Sequence, residues 1–210
     1  MERICAFTGQ IGGPYKKMLE FEETDIQGAK IITPFSANDN RGGIVKCYSS
    51  EKLYVQGIKF EIFEEVYINS KEGVLRGLHF QRKHPQPRML SCLKGNIWCA
   101  AVDIDRNSMT FGKWVLFELN EMDHKIIYAS ENCAIGTFAL EDSIIDCKYG
   151  AKTYLDLSDG IRWNDPDLGI RWPVGTADGP ITSDKDKRLQ SFKEYVSRPL
   201  DAMCDEGKKV

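Results

Sequence analysis

The sequence predicts an all-β fold, an antiparallel sandwich or barrel, on three observations. Short apolar runs recur at roughly 8–12-residue spacing, turn residues separate them, and no helix-period pattern lies between them. The runs Gly28–Pro34, Ile58–Ile68, Met89–Leu93, Ile97–Ile104, Trp114–Leu119 and Lys125–Ala129 each read as a strand, rich in β-branched or aromatic residues. Polar, glycine- or asparagine-bearing segments break them, at 39–43, 94–96, 105–108 and 120–124. Lys94-Gly95-Asn96, between two β-rich runs, predicts a hairpin turn. Leu189, Phe192, Tyr195 and Val196 recur at helical spacing before Pro199, which predicts one short amphipathic helix closing the chain.

The 210 residues suit one domain, residues 23–200, with an N-terminal extension at 1–22 and a polar tail at 201–210. The extension has weak patterning and reads as an arm that orders against the domain or a partner subunit. Apolar residues make up 42% and charged residues 28%, enough to bury a core. A net charge of −3 argues against nucleic acid or an anionic membrane as partner, but leaves room for a local basic pocket. Seven cysteines with no C-x-x-C pair favour reduced thiols in the cytoplasm. No secretory signal and no run of about 18 apolar residues is visible.

Three histidines, His79, His84 and His124, are too few and too poorly spaced for a histidine-rich metal centre, so a metal-free site is expected. His79 lies in Gly73-Val74-Leu75-Arg76-Gly77-Leu78-His79-Phe80-Gln81. A regular strand there would turn Arg76, Leu78 and Phe80 one way and His79 and Gln81 the other. A half-buried histidine with one hydrogen bond and a general base are both compatible with this context.

RGLHFQ at 76–81, LKGNIWCAAVDID at 93–105, SMTFGKW at 108–114 and RWNDPDLGIRWPV at 162–174 resemble, in order, the dTDP-4-dehydrorhamnose 3,5-epimerase family. The resemblance runs from about Thr24 to Val196. It implies a double-stranded β-helix (cupin, or jelly-roll) fold with a short C-terminal helix, a homodimer, no metal or other cofactor, and a nucleotide-linked 4-keto sugar as ligand. In such enzymes the C4 ketone acidifies C3–H and C5–H. A base removes a proton to form an enolate, and an acid on the opposite face returns one with inversion.

Carried over by motif, His79 matches the family's base and Asp184 the aspartate that orients it. Asp184 reads equally as a helix N-cap. Arg41 and Arg76 match arginines on the diphosphate, where a bidentate guanidinium is suited, and Gln81 matches a polar residue near the sugar. Arg88 stands where a lysine usually faces the enolate oxygen. The usual A-H-G-F reads Ala134-Ile135-Gly136-Thr137, and the usual Gln-x-Asn-x-Ser reads Glu64-Glu65-Val66-Tyr67-Ile68. The glutamate that follows the arginine–glycine motif becomes Lys46. Ungapped alignment puts Lys148 at the tyrosine acid, with Tyr149 adjacent and, on a regular strand, on the other face. The resemblance therefore implies an isomerase with an altered pocket. A nucleotide-sugar-binding protein without turnover and a 3,4-ketoisomerase are the alternatives.

Overall fold

The computed structural model describes residues 19–175 and 179–199. Most of the 1–22 extension and the whole 201–210 tail lie outside them. Thirteen strands form: β1 Glu20–Glu23, β2 Ala29–Thr33, β3 Phe35–Asp39, β4 Gly42–Lys46, β5 Glu64–Ser70, β6 Leu75–Gln81 and β7 Arg88–Lys94, followed by β8 Asn96–Asp103, β9 Trp114–Asn120, β10 Ile126–Ala129, β11 Cys133–Ala139, β12 Ser143–Tyr149 and β13 Ser158–Gly160. The extension's boundary at residue 22 thus falls inside β1. Three short α-helices, α1 Ser50–Val55, α2 Asp184–Lys187 and α3 Phe192–Ser197, and one 3-10 turn at Leu155–Leu157 complete the described elements.

The strands pair as a six-stranded sheet, β1-β2-β10-β7-β12-β5, a five-stranded sheet, β13-β6-β11-β8-β9, and a separate β3-β4 hairpin. Every one of these strand pairings is antiparallel. The eight strands β5 to β12 divide four and four, in the order β5-β12-β7-β10 on one sheet and β6-β11-β8-β9 on the other. That interleaving is a jelly roll, the fold class the sequence led us to expect.

Period-two alternation sorts the side chains into three apolar layers. Between the sheets lie Leu90, Ile97, Cys99, Ala101, Ile127, Ile135, Ile145 and Cys147. Outside the five-stranded sheet, Leu78, Phe80, Ala100 and Val102 are covered by Ile161, Leu168 and Tyr195. Outside the six-stranded sheet, Ile32, Met89 and Ile126 are covered by Leu53 of α1 and by Ile58 and Phe60. The last layer explains why the run Ile58–Ile68 is a strand only from Glu64. Its first residues serve as plugs that leave α1 and cap the sheet.

One turn expectation is corrected and the C-terminal helix is found. Lys94-Gly95-Asn96 is not a hairpin, because β7 pairs with β10 and β12 while β8 pairs with β11 and β9. The link crosses between sheets, with Gly95 at φ 80°. The C-terminal helical pattern is found as α3, which carries Phe192, Tyr195 and Val196, while Leu189 lies before it, next to Gln190 and its bridge to Ile161. Ser183 caps α2, and a Ser191–Glu194 capping box opens α3.

Ile145, fully buried between the sheets, should tolerate truncation poorly. Ile145→Ala is expected to cost about 2–5 kcal/mol of unfolding free energy, read from urea denaturation midpoints.

Candidate active site

β6 departs from regular alternation. Arg76 stands opposite Thr137 and His79 opposite Ile135, so three steps along β6 match two along β11. Directly opposed residues share a face, and Ile135 belongs to the layer between the sheets. Arg76 and His79 therefore both point inward, where a regular strand would have separated them. The slip falls at Gly77, whose φ is 109° and whose following peptide is cis. A Cβ there would lie 2.6 Å from the Ile135 carbonyl oxygen and 2.7 Å from Gly136 Cα, so the backbones approach too closely for any side chain.

His79 is paired by Asp186, with Nε2 to Oδ1 at 2.7 Å. Asp184, the residue the motif suggested, is corrected: its carboxylate is exposed and engages Lys187 at 3.3 Å. The reason lies in how α2 is delivered. Ile181 bridges to Val74 beside the start of β6, the Ser183 hydroxyl accepts the Asp186 N–H, and the first helical turn then rotates residue 186 inward. The other oxygen of Asp186 accepts the Gly77 N–H at 3.4 Å. Burial pulls the Asp186 carboxyl upward, but the hydrogen bond and charge of His79, with the Gly77 and Ser183 contacts, outweigh it and hold the group below its ordinary value.

On the facing sheet, β12 is in regular register with β5 from Ser143 to Tyr149. Ile145 and Cys147 point inward, and Tyr149 shares their phase and packs against the same layer. Lys148 is corrected: it points away from the barrel interior, where its ammonium is held by Asp146 and, at 2.9 Å, by Glu65. Burial lowers the Lys148 pKa but these two carboxylates raise it further, so the side chain stays charged and engaged. Burial pushes the Tyr149 phenol well above its ordinary value, keeping it protonated. The alternation Ile145-Asp146-Cys147-Lys148-Tyr149 carried this phase in the sequence, and ungapped alignment missed it by one residue.

Arg88 pairs directly with Tyr149 across β7 and β12. Its guanidinium carbon lies 5.5 Å from the centre of the Tyr149 ring, and one Nη donates to the His79 carbonyl at 3.2 Å. Arg76 reaches from β6 to β5, donating to Ser70 Oγ at 3.1 Å and to the Asn69 carbonyl at 3.0 Å. Gln81 is corrected: it is buried and its amide is consumed by the backbone of neighbouring loops. It donates to the His84 and Lys152 carbonyls and accepts from Tyr154 N–H. It staples loops instead of facing a ligand. Arg41 sits exposed near the tip of the β3-β4 hairpin, paired with Asp39 at 2.6 Å, and the chain does not bring it to His79.

A jelly-roll mouth with an inward imidazole–carboxylate pair, an arginine beside it and a protonated tyrosine on the facing sheet defines an acid–base site of the cupin architecture. Residues 23–194 match the family model described as dTDP-4-dehydrorhamnose 3,5-epimerase. The dTDP-4-dehydrorhamnose 3,5-epimerase of Methanothermobacter thermautotrophicus is 34% identical over 83% of this chain and 95% of its own. An epimerase structure from Mycobacterium tuberculosis superposes with a TM-score of 0.82 at 30% identity, covering 88% of this chain and 92% of that one. A dTDP-6-deoxy-D-glucose-3,5-epimerase of Legionella pneumophila, solved with dTDP-4-keto-L-rhamnose, gives 0.79 at 28% identity, covering 83% and 93%. The chain belongs to the dTDP-4-dehydrorhamnose 3,5-epimerase family, and by that membership it is a nucleotide-sugar epimerase.

The depressed Asp186 carboxyl makes a signed prediction. It stabilises the folded state at pH values above the ordinary carboxylate value of about 4, and this contribution disappears as pH falls through the lower folded value. Asp186→Asn should therefore lower the urea midpoint near neutral pH, with the gap to the parent closing below pH of about 4. Asp184→Asn should leave the midpoint near the parent's at every pH, and equal effects of the two variants would contradict the pairing.

Proposed function

We propose that this protein inverts C3, C5 or both in a nucleotide-linked 4-keto-6-deoxy sugar, with His79 as base, Asp186 as its positioning partner and Tyr149 as the acid. The observation that carries the reading is the shared inward phase of His79 and Tyr149 on opposite sheets, with Arg88 touching both residues. With Nε2–H donated to Asp186, the second ring nitrogen keeps its lone pair for the proton next to the ketone. Arg88 supplies fixed positive charge for the enolate oxygen and, as a guanidinium, gives up no proton near neutral pH. The buried, protonated phenol of Tyr149 can then return a proton on the opposite face.

Arg76 is the diphosphate ligand in this reading, standing where the mouth narrows toward Ser70. The same proposal includes a cytoplasmic homodimer. β5 ends the six-stranded sheet with no further strand beside it among the described residues, and the β3-β4 hairpin forms a sheet of its own. A second copy's hairpin would carry Arg41 toward a neighbouring mouth. Consistent with a reducing compartment, the five described cysteines are unpaired thiols, and no described helix is long and apolar enough to cross a membrane.

The test is deuterium uptake in heavy water, followed by NMR on dTDP-4-keto-6-deoxyglucose and its GDP- and CDP-linked counterparts. Label at C3 and C5 is expected for a two-centre enzyme and label at one carbon for a single-centre enzyme. His79→Ala should abolish uptake. No uptake from any of the three, with nucleotide binding retained, would overturn the assignment in favour of a nucleotide-sugar-binding protein. Tyr149→Phe should cut epimerised product by about 10²–10⁴-fold, the usual range for a general acid. Lys148→Met should leave turnover largely intact while lowering stability, because it strands Asp146 without its cation.

A further inference from the structure

Cys147 lies between Ile145 and Tyr149 on the inward face of β12 and is 2% exposed. Its cross-strand neighbours are Val66 on β5 and Leu90 on β7, and neither of these side chains offers it a hydrogen bond. The polar group it meets lies along its own strand. Residues two apart on a strand share a face, and the Cys147 thiol and the Tyr149 phenol are hydrogen-bond neighbours. The residues that flank Tyr149 across the sheet have other tasks. Glu64, opposite it on β5, accepts the Thr153 N–H at 3.1 Å. Arg88, opposite it on β7, holds its guanidinium carbon 5.5 Å from the ring centre and gives one Nη to the His79 carbonyl. Burial pushes the Cys147 thiol up to about 11, so it keeps its proton near neutral pH.

We infer that Cys147 is a positioning residue for the acid: its sulfur accepts the Tyr149 hydroxyl before proton transfer, and its S–H turns onto the phenolate oxygen afterwards. The inference rests on the epimerase reading and adds a residue to the same site. In the return step the Tyr149 O–H bond breaks. Its proton and the enolate's electron pair make the new C–H bond, the C4 carbonyl re-forms, and the negative charge comes to rest on the phenolate. A buried phenolate without a donor carries its full desolvation cost. A thiol both accepts and donates, so rotation about Cβ–Sγ serves both states and no covalent bond of Cys147 changes. After product leaves, solvent returns a proton to the phenolate and takes one from His79.

The experiment follows deuterium exchange and epimerised product together, on the full chain, with dTDP-4-keto-6-deoxyglucose in heavy water. Proton removal by His79 needs no acid, whereas inversion does. Cys147→Ala should cut epimerised product about tenfold while KM and exchange stay within about twofold, the scale of a weak donor on a charged acceptor. Cys147→Ser keeps a group that accepts and donates, and should recover most of that loss. In a Tyr149→Phe background, Cys147→Ala should cost no further product, because the two side chains act as a unit. Parental product from Cys147→Ala, equal loss of exchange and product, or the same loss with and without the phenol overturns the role. A second readout needs no turnover: the S–H stretching band of Cys147, assigned by its disappearance in Cys147→Ser, should shift in Tyr149→Phe. An unmoved band overturns the contact. A shifted band in a parent protein that takes up no deuterium would uphold the contact and sink the epimerase reading, so the two fail separately.

Discussion

Three residue steps on β6 lie against two on β11, and the mouth of the barrel is organised around that slip. Without it, Arg76 would sit with Leu78 and Phe80 in the outer apolar layer, where an unpaired guanidinium would carry a large desolvation cost. With it, the guanidinium crosses to Ser70 and Asn69 on β5 and closes one end of the opening. The cost is local and steric: residue 77 must be glycine, because the β11 backbone occupies the space a Cβ would take. Bulges commonly re-aim side chains next to sites, and here one bulge brings two charged or titratable groups onto one face.

The C-terminal segment then completes what β6 begins. It bridges Val74, just before β6, through Ile181, and Ile161, just after β13, through Gln190, so α2 is anchored on both sides of the helical turn carrying Asp186. A carboxylate buried to this degree is costly unless paired and hydrogen-bonded. Asp186 has both, from the imidazole of His79 and the Gly77 backbone N–H. The slip at Gly77 and the partner of His79 are thus coupled: the N–H of the slipped residue itself bonds the carboxylate. On the facing sheet, Asp146, Lys148 and Glu65 form a second charged cluster, directed away from the interior. The two sides of β12 carry separate electrostatics, and the phenol of Tyr149 is left to the mouth.

The amino-acid sequence by itself determined the all-β class, most strand positions, the C-terminal helical pattern and His79, because period-two apolar runs and turn residues are local signals. It also held the phase of Tyr149 in the alternation from Ile145 onward. Tertiary structure decided the rest. Lys94-Gly95-Asn96 looks like a hairpin locally, but whether two adjacent strands pair or part is settled by which sheet each joins. Asp184 and Asp186 are both acidic and two apart, and only the docking of α2 on β6 chooses between them. Gln81 is a polar residue beside the histidine in either reading, yet the loops at 84 and 152–154 absorb its amide. Arg76 and His79 share a face only through a register slip against β11, some 60 residues away in the chain. Cross-strand register is a property of two segments at once, so no single run of sequence can specify it.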